Sequence, residues 1–137
     1  MRYRYLDHTS DLGMEIYGKD LNELFANGLF AIFDNILDLE TVEIRETKEI
    51  NIASQSLEEL LFDWFRELLF IFATEFFVAK EVKEIKIENN RLRAIIAGEK
   101  FDRNRHRIKI EIKTPTYHMF DLQKTDLGYK ATVIFDV

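Results

Sequence analysis

The chain contains no cysteine, only one proline and only five glycines among its 137 residues. Without cysteine it cannot form disulfides, thiolate metal sites or thiol nucleophiles. The low proline and glycine content, together with 47% hydrophobic residues, excludes a collagenous, repetitive or disordered chain. The sequence therefore predicts one globular domain over residues 1–137, which should bury roughly two-thirds of its unfolded surface.

Long apolar runs and an excess of basic residues are also missing. The most apolar stretch, residues 57–78, is interrupted by six charged side chains, whereas a membrane-spanning helix needs about 20 mostly apolar residues. No apolar segment follows the N-terminal arginines, so no secretory signal is expected. The formal net charge of −6 argues against a dedicated nucleic-acid binder. We expect a soluble, cytoplasmic protein that binds neither membranes nor nucleic acid directly.

Two segments carry the start signals and the periodicity of helices. Asp20-x-x-Glu23 and Ser56-x-x-Glu59 are both capping-box patterns, and each precedes apolar residues at steps of three and four. The first stripe continues to residue 36 and the second to residue 72. Both stripes are wide, which is typical of helices that pack against a sheet.

The rest of the chain alternates in hydrophobicity and predicts strands. The predicted strands cover residues 14–16, 42–44, 50–52, 82–87, 92–97, 106–112, 117–123 and 129–137. Asn89-Asn90 and residues 125–128 are predicted hairpin turns. Because the later strands follow one another without helices between them, we predict an α+β fold. It has two layers, an antiparallel or mixed β-sheet with two amphipathic helices packed on one face.

The first candidate site is the polar turn at residues 7–13, which holds Asp7, His8 and Asp11 together with two hydroxyl side chains. Its carboxylate and carbonyl oxygens could hold a hard cation. Alternatively, its Asp, Thr and Ser side chains only bond the local backbone, as they do in many turns.

The second candidate is the end of the chain, where Asp136 stands beside the terminal carboxylate of Val137. Strand-like sequence continues up to Asp136. If a strand carries this end into the structure, the two negative groups need a cation, a partner or a proton. The alternative is a frayed, solvated tail.

Two further polar groups remain open in role. His118 follows Lys113 and Pro115, and it could be a base, a ligand or a core residue. Glu99, Asp102 and His106 form another group, in which Glu99 and His106 could meet across a turn. It lies beside a basic run that is either a solvated strand face or a phosphate contact, at Arg103, Arg105, Arg107 and Lys109. No serine-nucleophile, kinase or dinucleotide motif is present.

Taken in order, these segments resemble the archease family. Residues 7–11, Asp-His-Thr-Ser-Asp, look like the family's opening Asp-His-Thr-Ala-Asp. Residues 111–118 are similar to its Glu-Val-Lys-Ala-x-Thr-Tyr-His, with Thr114-Pro115 in place of Ala-x. Residues 133–137 look like its last strand with a penultimate Asp. Further similar segments lie at residues 21–25, 60–69, 76–78, 98–102 and 105–106, so the resemblance spans nearly the whole chain as a single archease-like domain.

The resemblance implies an accessory protein rather than an enzyme. Archeases assist the RtcB class of RNA ligase, which joins RNA ends in tRNA splicing and repair, uses manganese and GTP, and guanylylates its own active-site histidine. Archease promotes that activation and allows multiple turnover. Carried over, Asp11 and Asp136 form a metal site with a carbonyl or carboxylate oxygen of Val137, and Lys113 is the functional lysine. Such oxygen ligands suit calcium, magnesium or manganese, and no organic cofactor is implied.

Two other function classes remain open on the sequence. One is a chaperone or modulator of a tRNA-modifying methyltransferase, a role also suggested for this family. The other is a stand-alone metal-dependent phosphohydrolase that uses Asp11, Asp136 and His118.

Overall fold

The structure is a computed structural model that describes residues 1–7 and 11–137. Its helices are α1 (Leu21–Ile36), α2 (Leu57–Glu75) and a short 3-10 helix (Leu39–Thr41). The strands of the described residues are β1 (Tyr3–Tyr5), β2 (Leu12–Gly18), β3 (Glu46–Ala53), β4 (Phe77–Glu88), β5 (Arg91–Lys100), β6 (Thr114–Thr125) and β7 (Gly128–Asp136). In this part of the chain, no helix is long and apolar enough to cross a membrane.

The strands form two antiparallel sheets, which confirms the α+β class. One sheet has the order β1-β2-β7-β6 and the other has the order β3-β5-β4. The sequence pattern predicted one sheet, whereas the structure has two: β3, β4 and β5 pair with one another, and β7 returns to pair with β2. α1 packs against strands of both sheets, β2 and β4, and α2 packs against β6. The helices therefore join the two sheets through a common core.

Both helices begin where the capping boxes predict. The Asp20 carboxylate accepts a hydrogen bond from the Glu23 N–H at 2.8 Å, and the Ser56 hydroxyl accepts one from the Glu59 N–H at 3.1 Å. Each bond satisfies a backbone donor that the first helical turn leaves without a partner. α2 ends at Glu75, and Phe76, its C-cap, adopts a left-handed conformation with φ of 58°.

The core is built around the aromatic residues of the two helices. Trp64 is buried and its indole N–H donates to the Phe25 carbonyl at 2.9 Å, which ties α2 to α1. Phe65 meets Phe135 edge to face, with ring centroids 5.6 Å apart. Consequently, α2 fixes the last strand, β7, near its C-terminal end.

The two predicted hairpin turns are confirmed. Asn89 and Asn90 have φ of 52° and 59° and join β4 to β5, as expected for a two-residue turn with left-handed residues. Asp126 and Leu127 join β6 to β7, and Gly128 follows with φ of 134°.

Two predicted strands are wrong. Residues 106–112 are irregular: the His106 and Lys109 N–H groups donate to the carbonyls of Asp102 and Ile36, at 2.7 Å and 2.6 Å. Residues 42–44 are also irregular, because the Val42 N–H closes the 3-10 helix on Leu39. In both segments the alternation does not correspond to a strand: Val42, His106 and Ile112 are buried, whereas Ile44 and Ile108 are exposed.

Candidate functional site

At one corner of the four-stranded sheet, β2 and β6 begin and β7 ends. β7 lies between β2 and β6. Leu12 of β2 pairs with Phe135, and Thr114 of β6 pairs with Asp136. Asp11 directly precedes Leu12 and Asp136 directly follows Phe135, so the two aspartates are the chain neighbours of this paired position. The sheet therefore carries residues that are more than 100 positions apart in sequence to the same edge.

The fourth predicted residue, Lys113, lies at the same corner. Its backbone N–H donates to the Asp136 carbonyl at 2.8 Å, so the main chain of Lys113 lies beside the end of β7. Asp11, Lys113 and Asp136 are exposed, and Val137 is 41% exposed. The corner (Asp11, Lys113, Asp136 and Val137) is thus accessible to a partner or ligand.

The residues of this corner offer only oxygen ligands and one cation. Carboxylate and carbonyl oxygens match the preference of calcium, magnesium and manganese. In the described residues, no group of three or more His, Cys, Asp or Glu side chains could hold a metal ion. Asp11 and Asp136 therefore fit a hard cation only as a partial shell, which main-chain oxygens, water or a bound phosphate would complete.

The polar turn before β2 is closed at its base. The Leu6 N–H donates to the Gly13 carbonyl at 2.8 Å, and β1 pairs with β2 from Tyr5 opposite Met14. Asp7 is exposed. His8, Thr9 and Ser10 lie outside the described residues, so the predictions for their roles stay predictions.

A hydrogen-bond network holds β1, and with it the start of this turn, against α1. The Tyr3 hydroxyl donates to Asp34 at 2.6 Å, and the Tyr5 hydroxyl donates to the side-chain oxygen of Asn35 at 2.7 Å. Asn35 is buried and donates to the Ala31 carbonyl at 2.7 Å. Burial and then the hydrogen bond with Asp34 raise the pKa of Tyr3 far above its usual value, so its phenol remains a donor.

Glu99 and His106 do meet, as the sequence predicted, but in the protein interior. Glu99 is 2% exposed. It accepts from the Glu43 N–H at 2.7 Å, from the Arg105 guanidinium at both oxygens, and from His106 Nε2 at 3.1 Å. His106 Nδ1 accepts from the Asp102 N–H at 2.9 Å, so its proton resides on Nε2.

These contacts set the charge of Glu99. Burial acts to raise its pKa, but the hydrogen bonds from Arg105 and the Glu43 N–H, the charge of Arg105 and the hydrogen bond from His106 lower the pKa to about 2. The cluster joins β5, the start of the irregular segment and the chain before β3. It therefore stabilises the fold, and none of its residues belongs to the corner. The neighbouring side chains of Arg103, Arg107 and Lys109 are exposed on irregular chain.

The sequence did not predict an interruption within β6. Thr116 pairs with Ile134 and Asp121 pairs with Thr132, so residues 117–120 lie opposite the single residue Val133. We call residues 117–120 the β6 bulge. His118 lies in this bulge and is exposed, so it is neither a core residue nor part of the corner. The alternating apolar residues of 117–123 read as one uninterrupted strand and gave no signal for the extra residues.

Comparison with known proteins identifies relatives of this chain. The archease protein family model matches residues 3–137. A curated archease of Archaeoglobus fulgidus is 36% identical over 140 residues, with 100% of both chains covered. An archease of Methanosarcina mazei is 37% identical over 140 residues, covering 99% of this chain and 96% of that protein.

Solved structures are similar over the same length. The solution structure of protein 1598 of Methanobacterium thermoautotrophicum has a TM-score of 0.82 and 33% identity, covering 99% of both chains. The crystal structure of a Thermotoga maritima archease, described as a possible chaperone, has a TM-score of 0.70 and covers 98% of this chain and 96% of that one. At 21% identity, this second likeness concerns the fold alone.

Proposed function

This chain belongs to the archease family, and on that premise we propose that it activates an RtcB-type RNA ligase in tRNA splicing and RNA repair. It acts as one domain, without catalysing a reaction itself, by promoting guanylylation of the ligase and its multiple turnover. The supporting observation is the convergence of Asp11, Lys113 and Asp136 on one accessible corner. Chain positions so far apart meet there only because β7 lies between β2 and β6.

The corner binds a divalent cation in this proposal, and its ligands are Asp11, Asp136 and an oxygen of Val137. When bound, a calcium, magnesium or manganese ion supplies positive charge that neutralises phosphate oxygens of a nucleotide. Because the corner residues form only part of a coordination shell, the remaining ligands come from the ligase, its nucleotide or water. Because the site needs these additional ligands, it functions only when the partner is present.

Lys113 contributes a positive charge beside the carboxylates. Its backbone bond to the Asp136 carbonyl fixes the base of the side chain, while the exposed ammonium keeps its reach into solvent. A lysine ammonium is a compact point charge with rotatable donors. A cation bound at the corner would repel the Lys113 ammonium. We therefore assign the ammonium to a phosphate oxygen of the nucleotide or to a carboxylate of the ligase.

The net charge supports an accessory role. At −6 the protein would be repelled by RNA phosphates over much of its surface. An activator needs no grip on RNA, since the ligase holds the substrate. Among the other candidates, the phosphohydrolase has less support, because His118 lies in the β6 bulge, four residues beyond Thr114.

The test is guanylylation of the purified ligase with GTP and metal, with and without this protein. Asp11→Ala and Asp136→Ala should lower the stimulated rate to roughly that of the ligase alone, and Lys113→Ala should lower it at least tenfold. Asp126→Ala is the matched control, since it removes an exposed carboxylate at the opposite end of the same hairpin. Circular dichroism should show every variant folded.

Full stimulation by both aspartate variants would refute the role of the corner. Turnover of a phosphate ester by this protein alone would favour the phosphohydrolase instead. Recovery of a tRNA methyltransferase rather than the ligase on purification from the native cell would favour the modulator role.

A further inference from the structure

Among the residues that the structure describes, the β6 bulge lies on a sheet edge. β6 is the outermost strand of its sheet, and three of the four residues 117–120 have no counterpart on β7 because only Val133 lies opposite them. Insertions of this kind redirect side chains and are enriched at functional edges. Tyr117 and Met119 are each 60% exposed, so the bulge presents an aromatic ring and a thioether to solvent.

The bulge is held in place by α2. The Tyr117 ring stacks on Phe62 with centroids 3.9 Å apart and planes 8° apart, and its hydroxyl donates to Glu59 at 3.2 Å. Phe120 meets the same Phe62 ring edge on at 5.3 Å. A large exposed ring that is already oriented loses little conformational entropy on binding, which is a property of interface anchors.

Met119 adds backbone strain to this surface. Its φ of 58° lies in the left-handed region, which residues with a side chain seldom adopt. Strained residues of this kind cluster at ligand clamps and functional sites. The backbone of the β6 bulge does not require a methionine at this position, since glycine would adopt the same conformation without strain.

The charge around the bulge is acidic. The groups that act on the Tyr117 hydroxyl are Glu59, Asp63 and Arg66, two carboxylates and one guanidinium. Arg66 is paired with Asp63 at 2.7 Å, and Glu58 lies exposed in the same first turns of α2. The apolar side chains are thus bordered by net negative charge.

We propose that the β6 bulge docks into an apolar pocket on a basic face of the RNA ligase, an inference that rests on the proposed function. A ligase that holds RNA must carry a cationic surface, which complements the acidic border. RNA itself is disfavoured because its phosphates would face Glu59 and Asp63. A second copy is disfavoured because a two-fold contact would bring the same acidic borders together.

The position of the bulge allows one partner to reach both it and the corner. Tyr117 follows Thr114 by three residues, about 10 Å along a strand, and Thr114 pairs with Asp136. A typical protein interface is wide enough to include both. The bulge then supplies affinity, whereas the corner supplies activation.

The experiment measures affinity of the full-length protein for the purified ligase by isothermal calorimetry, together with guanylylation. Tyr117→Ala and Met119→Gly should each weaken binding roughly tenfold or more. Met119→Gly removes the side chain but relieves the positive φ, so its melting temperature should not fall. Leu127→Ala is the control, because Leu127 is 92% exposed at the far end of the hairpin and should bind normally.

The two proposals fail in distinguishable ways. Saturating concentrations of Tyr117→Ala should restore guanylylation, whereas saturating Asp136→Ala should not. If the wild type activates the ligase and both bulge variants bind as tightly as it does, the docking inference is wrong and the proposed function stands. If the wild type neither binds nor activates the ligase, both are wrong. Binding of single-stranded RNA, or self-association, that Tyr117→Ala abolishes would also overturn the inference.

Discussion

At the scale of single residues, Glu99 links the stability of the protein to pH. Its pKa of about 2 lies below the ordinary value of 4.5. The stabilisation is therefore fully present above about pH 4.5 and is lost as the pH falls from there towards 2. Because Arg105 is one-third exposed and screened by solvent, we expect about 2 kcal/mol from this group.

We predict that Glu99→Gln lowers the free energy of unfolding at pH 7 and flattens its pH dependence between pH 5 and 2.5. The amide cannot satisfy Arg105 and His106 as the carboxylate does, and its charge no longer changes with pH. Urea unfolding at a series of pH values measures both effects. Glu111→Gln, at an exposed position, should leave the wild-type profile intact. A wild-type slope retained in Glu99→Gln would contradict the assignment.

Gly98, the neighbour of Glu99, is a glycine for a steric reason. A Cβ at this position would collide with the Val78 carbonyl oxygen of the adjacent strand. The two strands approach closely here beside the irregularity between Ala79 and Glu81.

We predict that Gly98→Ala destabilises the protein by about 1–3 kcal/mol, the usual cost of forcing extra atoms into a packed site. The measurement is the midpoint of urea unfolding at pH 7. Thr47→Ala, on the strand that flanks β5 on its other side, should change the stability by less than about 0.5 kcal/mol. An unchanged midpoint in Gly98→Ala would mean that the strands can separate at no cost.

At the scale of elements, the start of α2 fixes the surface on which Tyr117 lies. The Ser56 hydroxyl caps this helix through the Glu59 N–H, and Glu59 in turn accepts from Tyr117. The cap and the β6 bulge are therefore linked by one residue.

We predict that Ser56→Ala costs about 1 kcal/mol, because it removes the cap acceptor. Thermal or chemical unfolding measures the loss. Ser56→Asp keeps an acceptor and adds favourable charge at the helix N-terminus, so it should match or exceed the wild type. Equal loss in both variants would show that the hydroxyl acts through packing rather than capping.

The elements that the sequence predicted are those with local causes. The capping boxes at Asp20 and Ser56 and the Asn89-Asn90 turn depend on neighbouring residues, and the structure confirms all of them. Residues 106–112 and 117–120 depend instead on distant partners. His106 turns inward because Glu99 and Thr41 accept from it, and Tyr117 leaves the ladder to stack on Phe62. The alternation of hydrophobicity along the sequence does not reveal such contacts.

At the scale of the whole molecule, the strand order brings together site residues whose spacing in the sequence does not show that they meet. Asp11, Lys113 and Asp136 are each unremarkable in their own segments, and the sequence alone left both acidic segments with ordinary structural explanations. The strand order β2-β7-β6 joins them at one corner. The family resemblance supplied the pairing that local patterns lack, while metal binding at this corner stays a prediction.

The charge distribution also acts at this scale. An acidic corner and an acidic border around the β6 bulge, on a protein of net charge −6, favour a basic protein partner over RNA. Association with the ligase should therefore weaken as salt rises, because exposed charges are screened within about 10 Å at 0.1 M ionic strength.

The most direct measurement of the central claim is ligase guanylylation at limiting manganese, with rising concentrations of this protein. We predict that the wild type and Asp126→Ala lower the manganese concentration needed for half-maximal guanylylation, whereas Asp136→Ala leaves it at the value of the ligase alone. Equal manganese dependence with and without the wild-type protein would contradict the claim that its corner activates the ligase through a shared metal.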